Sequence, residues 1–237
     1  FEVTKMTAFT PEFNKPITFK SILQLTYNFT QACGWFYVAY LLTTTVSSTD
    51  DLLSAENYAA KVFPTSGKIV VYLCQLAMLE VVLALLRIIP SSALTVVMQL
   101  IARNTVILVT VNRHVEIQTH VAVFLFFLAW TLTEIIRFPW LMFKTVGKPP
   151  YIVSYIRYAC PLVLYPLGAV GEFWSMYNAQ IVGENDILFS SFTLKHLIHY
   201  VYFPLFVPGF LFLYSNAVRQ FLKQSKLLAK DLKEKTN

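Results

Sequence analysis

Two side chains in the apolar second half of this chain have the chemistry to move protons: the phenol of Tyr165 and the carboxyl of Glu172. They stand seven residues apart, two turns of an α-helix, so they share nearly one face about 10 Å apart along the axis. Pro166, Gly168 and Gly171 lie between them, which loosens the helix and leaves room beside it. A phenol and a carboxyl facing such a small-residue groove can act on two atoms of one bound ligand. The plainer reading is a tyrosine packed in a helix interface and a glutamate near a membrane boundary, and these features alone leave both open.

Five more charges sit inside apolar stretches: Glu80, Arg103, Glu134, Arg137 and Arg157. A charge near the middle of a bilayer costs at least ~2.5 kcal/mol, so each needs a partner, a cavity or a function. Glu134 and Arg137 are three apart and can pair locally on one helix face. Glu80 and Arg103 lie on either side of Pro90 at similar distances, which predicts a clasp between two helices. Arg157, near a helix end, can snorkel or meet an anionic head group.

The elements that must position these groups are hydrophobic runs. Only 14% of the 237 residues are charged and the mean hydropathy is +0.56, against about 25% charged for a soluble domain. A spanning helix needs about 20 mostly apolar residues. Such runs extend from Ser21 to Val46, Lys68 to Ile89, Ser91 to Val111, Thr119 to Phe143, Tyr151 to Tyr177 and Leu197 to Phe221. The expected fold is therefore all-α, a polytopic membrane bundle of six transmembrane helices. Pro139, Pro166, Pro204 and Pro208 fall inside runs, where neighbouring helices or water can satisfy the freed backbone groups.

An even number of crossings puts both termini on one side. That side would hold Lys5, Lys15, Lys20, Arg87, Lys144, Lys148 and the tail cations Arg219, Lys223, Lys226, Lys230, Lys233 and Lys235. The other would hold Lys61, Lys68, Arg113 and Lys195 among six acids, Asp50, Asp51, Glu56, Glu116, Glu184 and Asp186. The excess of positive charge marks the cytosolic face. The expected organisation is a cytosolic segment over 1–20, a six-helix catalytic domain over 21–222 and a basic cytosolic tail over 223–237, with membrane lipid rather than nucleic acid as the partner of the net +6 charge. Phe1 to Lys20 holds no apolar core with a small-residue cleavage site, so no signal peptide is expected. Lys233 and Lys235, third and fifth from the carboxyl end, resemble the dilysine signal of endoplasmic reticulum membrane proteins. Cys33, Cys74 and Cys160 lie in apolar stretches at no metal-like spacing and read as small buried hydrophobes.

The segment from Ile156 to Glu172, with the kernel RY, a short apolar gap and LYPLGAVGE, resembles the signature of the 3-hydroxyacyl-CoA dehydratase family, also called protein tyrosine phosphatase-like proteins. Trp130 to Phe138, WTLTEIIRF, looks like that family's fourth-helix signature, and Gln99 to Arg103 like its third. The similarity covers residues 20 to 222. A phosphatase of the kind in the older name needs an arginine six positions after its cysteine; Cys160 has Pro166 there, with no charge to grip phosphate.

The resemblance implies a lyase: loss of water from a very-long-chain (3R)-3-hydroxyacyl-CoA to give the trans-2-enoyl-CoA in the fatty-acid elongation cycle of the endoplasmic reticulum. The family's catalytic pair falls on Tyr165 and Glu172. Glu172 is taken as the base and Tyr165 as the donor to the leaving hydroxyl, with the reverse assignment open. Arg103, Glu134, Arg137, Arg157, Tyr158 and Gly168 are candidate supporting or substrate-binding residues, Arg137 and Arg157 to hold Glu172 charged or to meet the CoA phosphates. No metal or cofactor is expected, and the partners implied are the elongase, ketoacyl reductase and enoyl reductase of the cycle. The competing classes are a non-catalytic scaffold of the elongation complex and a small transporter, against which stands the absence of two similar halves with matched broken helices.

Overall fold

The structure, a computed structural model, describes residues 12–47, 55–89 and 93–236. The expected break at Pro90, the loop acids Asp50 and Asp51, and Lys5 lie outside these residues. So do Asn237 and the side chains of Lys230, Lys233 and Lys235.

The described chain is nearly all helical: α1 (Phe19–Ser47), α2 (Ala55–Leu76), α3 (Leu79–Leu85), α4 (Ala93–Asn104), α5 (Val121–Val146), α6 (Tyr151–Ala159), α7 (Pro161–Val182) and α8 (Phe203–Thr236). A π-helical turn, Thr105–Thr110, extends α4, and another, Leu197–Tyr202, leads into α8. Two-residue strands tie Glu12–Phe13 to Gly147–Lys148 at one end, and a small hairpin pairs Ile187–Phe189 with Phe192–Thr193 at the other. Beside that hairpin Lys195 pairs with the exposed Glu184 and holds its carboxyl below the usual range.

Burial follows helical spacing. On α1 the buried positions are Tyr27, Asn28, Gln31, Ala32, Trp35, Val38, Leu42 and Thr45, while Phe29, Phe36, Tyr37 and Tyr40 are exposed. An apolar outer face of this kind suits lipid, not water. α5 lies at the centre, packed on α1, α2, α6 and α7, and buries Val123, Phe126, Phe127, Trp130, Glu134 and Phe138 along one stripe. Among the described residues four stretches are long and apolar enough to cross a membrane: Glu56–Leu85, Val121–Val146, Tyr151–Val182 and Leu194–Leu227. This is the build of a multi-pass membrane protein.

Several boundaries differ from the sequence expectation. The second rod starts at Ala55 rather than Lys68 because Tyr58, Ala59, Val62, Phe63 and Ser66 all bury against the bundle despite Lys61 and Pro64. It is interrupted at Ala77–Met78 and stops at Arg87, whose φ of 53° lies in the left-handed region. The third is a short α-helix finished by a π turn. The fifth divides at Cys160, because Pro161 has no N–H to offer the carbonyl of Arg157 four residues back. Pro166 frees the carbonyl of Leu162 in the same way, and there the hydroxyl of Tyr214 on α8 donates to it at 3.3 Å.

Candidate active site

The buried charges form one continuous network centred on α5. Arg137 donates to both oxygens of Glu80 on α3 at 2.8 and 3.0 Å, and its Nε donates to Glu134 at 2.6 Å. Arg103 on α4 donates to the other Glu134 oxygen at 2.6 Å. Glu80 also accepts from the hydroxyl of Tyr27 at 2.9 Å, and Gln31 and Trp35 extend the chain of hydrogen bonds up α1. The local Glu134–Arg137 pair expected from their spacing is formed. The expected Glu80–Arg103 clasp is not: each turns instead to a partner on α5, Arg137 gripping Glu80 through both oxygens and Glu134 bridging Arg103 and Arg137 with one oxygen each. Two carboxylates and two guanidiniums cancel, so the cluster is neutral and closed.

Trp130 joins this cluster to Glu172. The Arg103 guanidinium lies 4.6 Å from the Trp130 ring centre, and the indole N–H donates to Oε1 of Glu172 at 2.8 Å. Trp130, Glu134 and Arg137 are at positions i, i+4 and i+7 of α5, so one face of one helix presents the indole and both charges. Glu172 receives that single hydrogen bond and is in no ion pair among the described residues.

The groove expected beside Gly168 and Gly171 is not open, because α5 fills it. A Cβ on Gly171 would lie 2.7 Å from the carbonyl oxygen of Ala122 and 2.8 Å from the backbone nitrogen of Phe126; one on Gly168 would meet Ala129 at 3.4 Å. These glycines let two backbones touch, which brings Glu172 within reach of Trp130. They are packing residues that position the acid.

The open space lies lower on α7. Tyr165, Arg157 and Tyr158 line a cavity of about 60 Å³ together with Pro161, with Gln99 of α4, and with Leu213, Asn216, Ala217 and Gln220 of α8. Glu172 is not in its lining. Among the described residues Arg157 is in no ion pair, its Nε is buried without a hydrogen-bond partner, and its guanidinium lies 5.9 Å from the ring centre of Trp140. Tyr158 meets Trp140 edge-on at 5.7 Å.

The sequence-derived candidates therefore divide into two groups. Tyr165, Arg157 and Tyr158 share the cavity; Glu172, Arg103, Glu134 and Arg137 share the network, and Gly168 packs between them. Residues not singled out from sequence are Trp130, Tyr27 and Gln31 in the network, and Asn216 and Gln220 in the cavity. Trp130 was legible, being on the same face as Glu134; the contacts of the others depend on which helices meet. Of the three cysteines, all free, Cys74 is buried and Cys160 half-buried, but Cys33 is exposed on the outer face of α1, contrary to the reading of all three as buried.

Known proteins resemble this chain in sequence. The sequence pattern of the family described as protein tyrosine phosphatase-like protein, PTPLA, matches residues 74–226. A Mus musculus protein named very-long-chain (3R)-3-hydroxyacyl-CoA dehydratase 2 is 37% identical over 103 residues, 44% of this chain and 41% of that one. The Homo sapiens protein of the same name is 30% identical over 152 residues, 61% of this chain and 60% of its own. A Schizosaccharomyces pombe protein named probable very-long-chain (3R)-3-hydroxyacyl-CoA dehydratase is 27% identical over 171 residues, 72% of this chain and 80% of its own. The chain thus spans roughly half the length of the mammalian relatives it matches. No solved structure matches it.

Proposed function

The chain belongs to the protein tyrosine phosphatase-like protein family, PTPLA, and from that premise we propose that it is a very-long-chain (3R)-3-hydroxyacyl-CoA dehydratase, a hydro-lyase acting within a membrane. What sets Glu172 apart from Glu80 and Glu134 is that among the described residues it is in no ion pair and is held by one indole N–H. Tyr165, two turns away on the same helix, opens onto a cavity that also holds an unpaired guanidinium. The names of the relatives and the matched LYPLGAVGE segment support the same reading.

In this reading Glu172 removes a proton from C2, next to the thioester carbonyl. The released electron pair forms the C2–C3 double bond, the C3–O bond breaks, and Tyr165 protonates the departing hydroxyl to give water. Return of the proton from Glu172 to the phenolate restores both groups. The C2–C3 segment must then lie along α7 between the cavity and Glu172, parting side chains that now meet.

We infer six crossings, α1 and α4 with its π turn joining the four more apolar rods. Both termini are then cytosolic by the charge asymmetry, and the lysine-bearing tail suits the endoplasmic reticulum membrane. In the fatty-acid elongation cycle the elongase and ketoacyl reductase would supply the substrate, and the enoyl reductase would consume the product.

Incubating the purified protein with a 3-hydroxyacyl-CoA and following the enoyl product by mass tests the reading. Product from the wild type and none from Tyr165→Phe or Glu172→Gln is expected. Near-normal turnover in both variants would sink the assignment.

A further inference from the structure

α8 runs antiparallel to α6 and α7 in a register set by two contacts. The hydroxyl of Tyr214 donates to the carbonyl of Leu162, and the ring of Phe221 lies 6.1 Å from that of Tyr155. In this register Asn216 and Gln220, one turn apart on one face of α8, lie beyond Tyr165 towards the end of the bundle that holds Tyr151 and the basic tail. Both line the cavity, with Gln99 opposite on α4. None of these three primary amides makes a hydrogen bond to another described residue, and the Arg157 guanidinium among them has no counter-ion. Asn216 is half-buried and Gln99 and Gln220 are exposed at the cavity mouth, so their amides are free to bond a ligand, and the Nε of Arg157, buried there without a partner, calls for a polar one.

The chemistry of the lining narrows that ligand. A primary amide offers one acceptor and two donors, the complement of a secondary amide. A cavity of about 60 Å³ has room for one compact polar unit, about two waters' worth, and not for a nucleotide. A 3-hydroxyacyl thioester of CoA carries its first pantetheine amide six bonds from C3. With the 3-hydroxyl at Tyr165 and the charged part of CoA outside the bundle, that amide falls at the cavity mouth, on the Asn216 and Gln220 side.

We propose that Asn216 and Gln220 of α8, with Gln99, form the site that recognises the first amide of the pantetheine arm, while Arg157 faces the thioester carbonyl. This rests on the dehydratase reading and adds to it a specificity device on a different helix from the proposed acid and base. The arm is gripped by neutral amides inside the bundle mouth, and the charged remainder of CoA stays outside.

Two synthetic substrates of one acyl chain separate the contributions: the N-acetylcysteamine thioester, which keeps the first amide, and the S-ethyl thioester, which has none. The wild type is expected to favour the amide-bearing thioester in kcat/KM, and Asn216→Leu and Gln220→Leu to lower that preference about tenfold, the worth of one hydrogen bond. Should Asn216→Leu fail to fold, the exposed Gln220→Leu carries the comparison alone. A preference unchanged in the variants overturns the proposal while leaving the dehydratase reading intact. A wild type that turns over neither thioester nor the CoA substrate overturns the dehydratase reading, and this proposal with it.

Discussion

The indole N–H of Trp130 donates to the carboxylate of Glu172 at 2.8 Å while its ring face carries the guanidinium of Arg103. One side chain thus links a closed, neutral ion cluster to the acid proposed as base, and fixes where that acid points. Trp130→Phe keeps the ring and removes the donor. A hydrogen bond to a charged group contributes about 1.5–3 kcal/mol, so kcat is expected to fall about 10- to 100-fold. A steady-state assay of the variant beside Glu172→Gln checks this.

Arg137 is the double-ended member of the network, bonded to Glu80 and Glu134 at once. Arg137→Met leaves two carboxylates inside the bundle with one guanidinium between them. Removing one partner of a buried pair destabilises by about 3–5 kcal/mol. Thermal unfolding of the detergent-solubilised protein should show a large drop, partly recovered when Glu80→Gln is added.

The two glycines of α7 predict opposite results. A methyl on Gly171 would drive into the backbone of α5, with 2.7 Å to the Ala122 oxygen, so Gly171→Ala must push the helices apart. Overpacking of this kind is expected to lose about 1–3 kcal/mol and much of the activity. Gly168→Ala meets only the Ala129 methyl at 3.4 Å, and its stability should stay within about 1 kcal/mol of wild type, since the helix gains from the substitution. Melting curves of the two variants settle the contrast.

His120 caps the start of α5: its Nδ1 accepts from the Ala122 N–H at 3.1 Å, and Nε2 lies 3.1 Å from the Asn178 amide. Burial against Trp174 holds its pKa below the ordinary 6.5. The neutral ring is the native form, so the unfolded chain takes up the proton first. Its contribution to stability is full above pH 6.5 and declines as the pH falls from there towards the folded value. His120→Asn, which keeps a capping acceptor but does not titrate, should lose that part of the acid sensitivity in denaturation curves taken between pH 5 and 7.5.

Much of the arrangement was legible before any coordinates. The low charge and long apolar runs pointed to lipid-facing helices, and the spacing of Glu134 and Arg137 allowed a local pair, because residues three apart on one helix share a face. Tyr165 and Glu172 were visible as the phenol and acid of one rod. What misled was the space beside them. Small residues between two functional groups read equally as a groove or as a contact surface, and only the approach of α5 to Gly171 decided for contact. The Glu80–Arg103 clasp failed for a related reason: two ions symmetric about a turn have no claim on each other when a third helix offers each a better partner.

The order of residues by itself determined the class of molecule, the helices, their prolines and the identity of the groups able to carry protons, since these depend on composition and on a period of 3.6 residues. The tertiary structure decided which charges cancel and which stay free. That choice depends on distances between helices far apart in sequence, and it leaves Glu172 with an indole, Arg157 with no counter-ion, and the amides of α8 facing the same cavity as Tyr165.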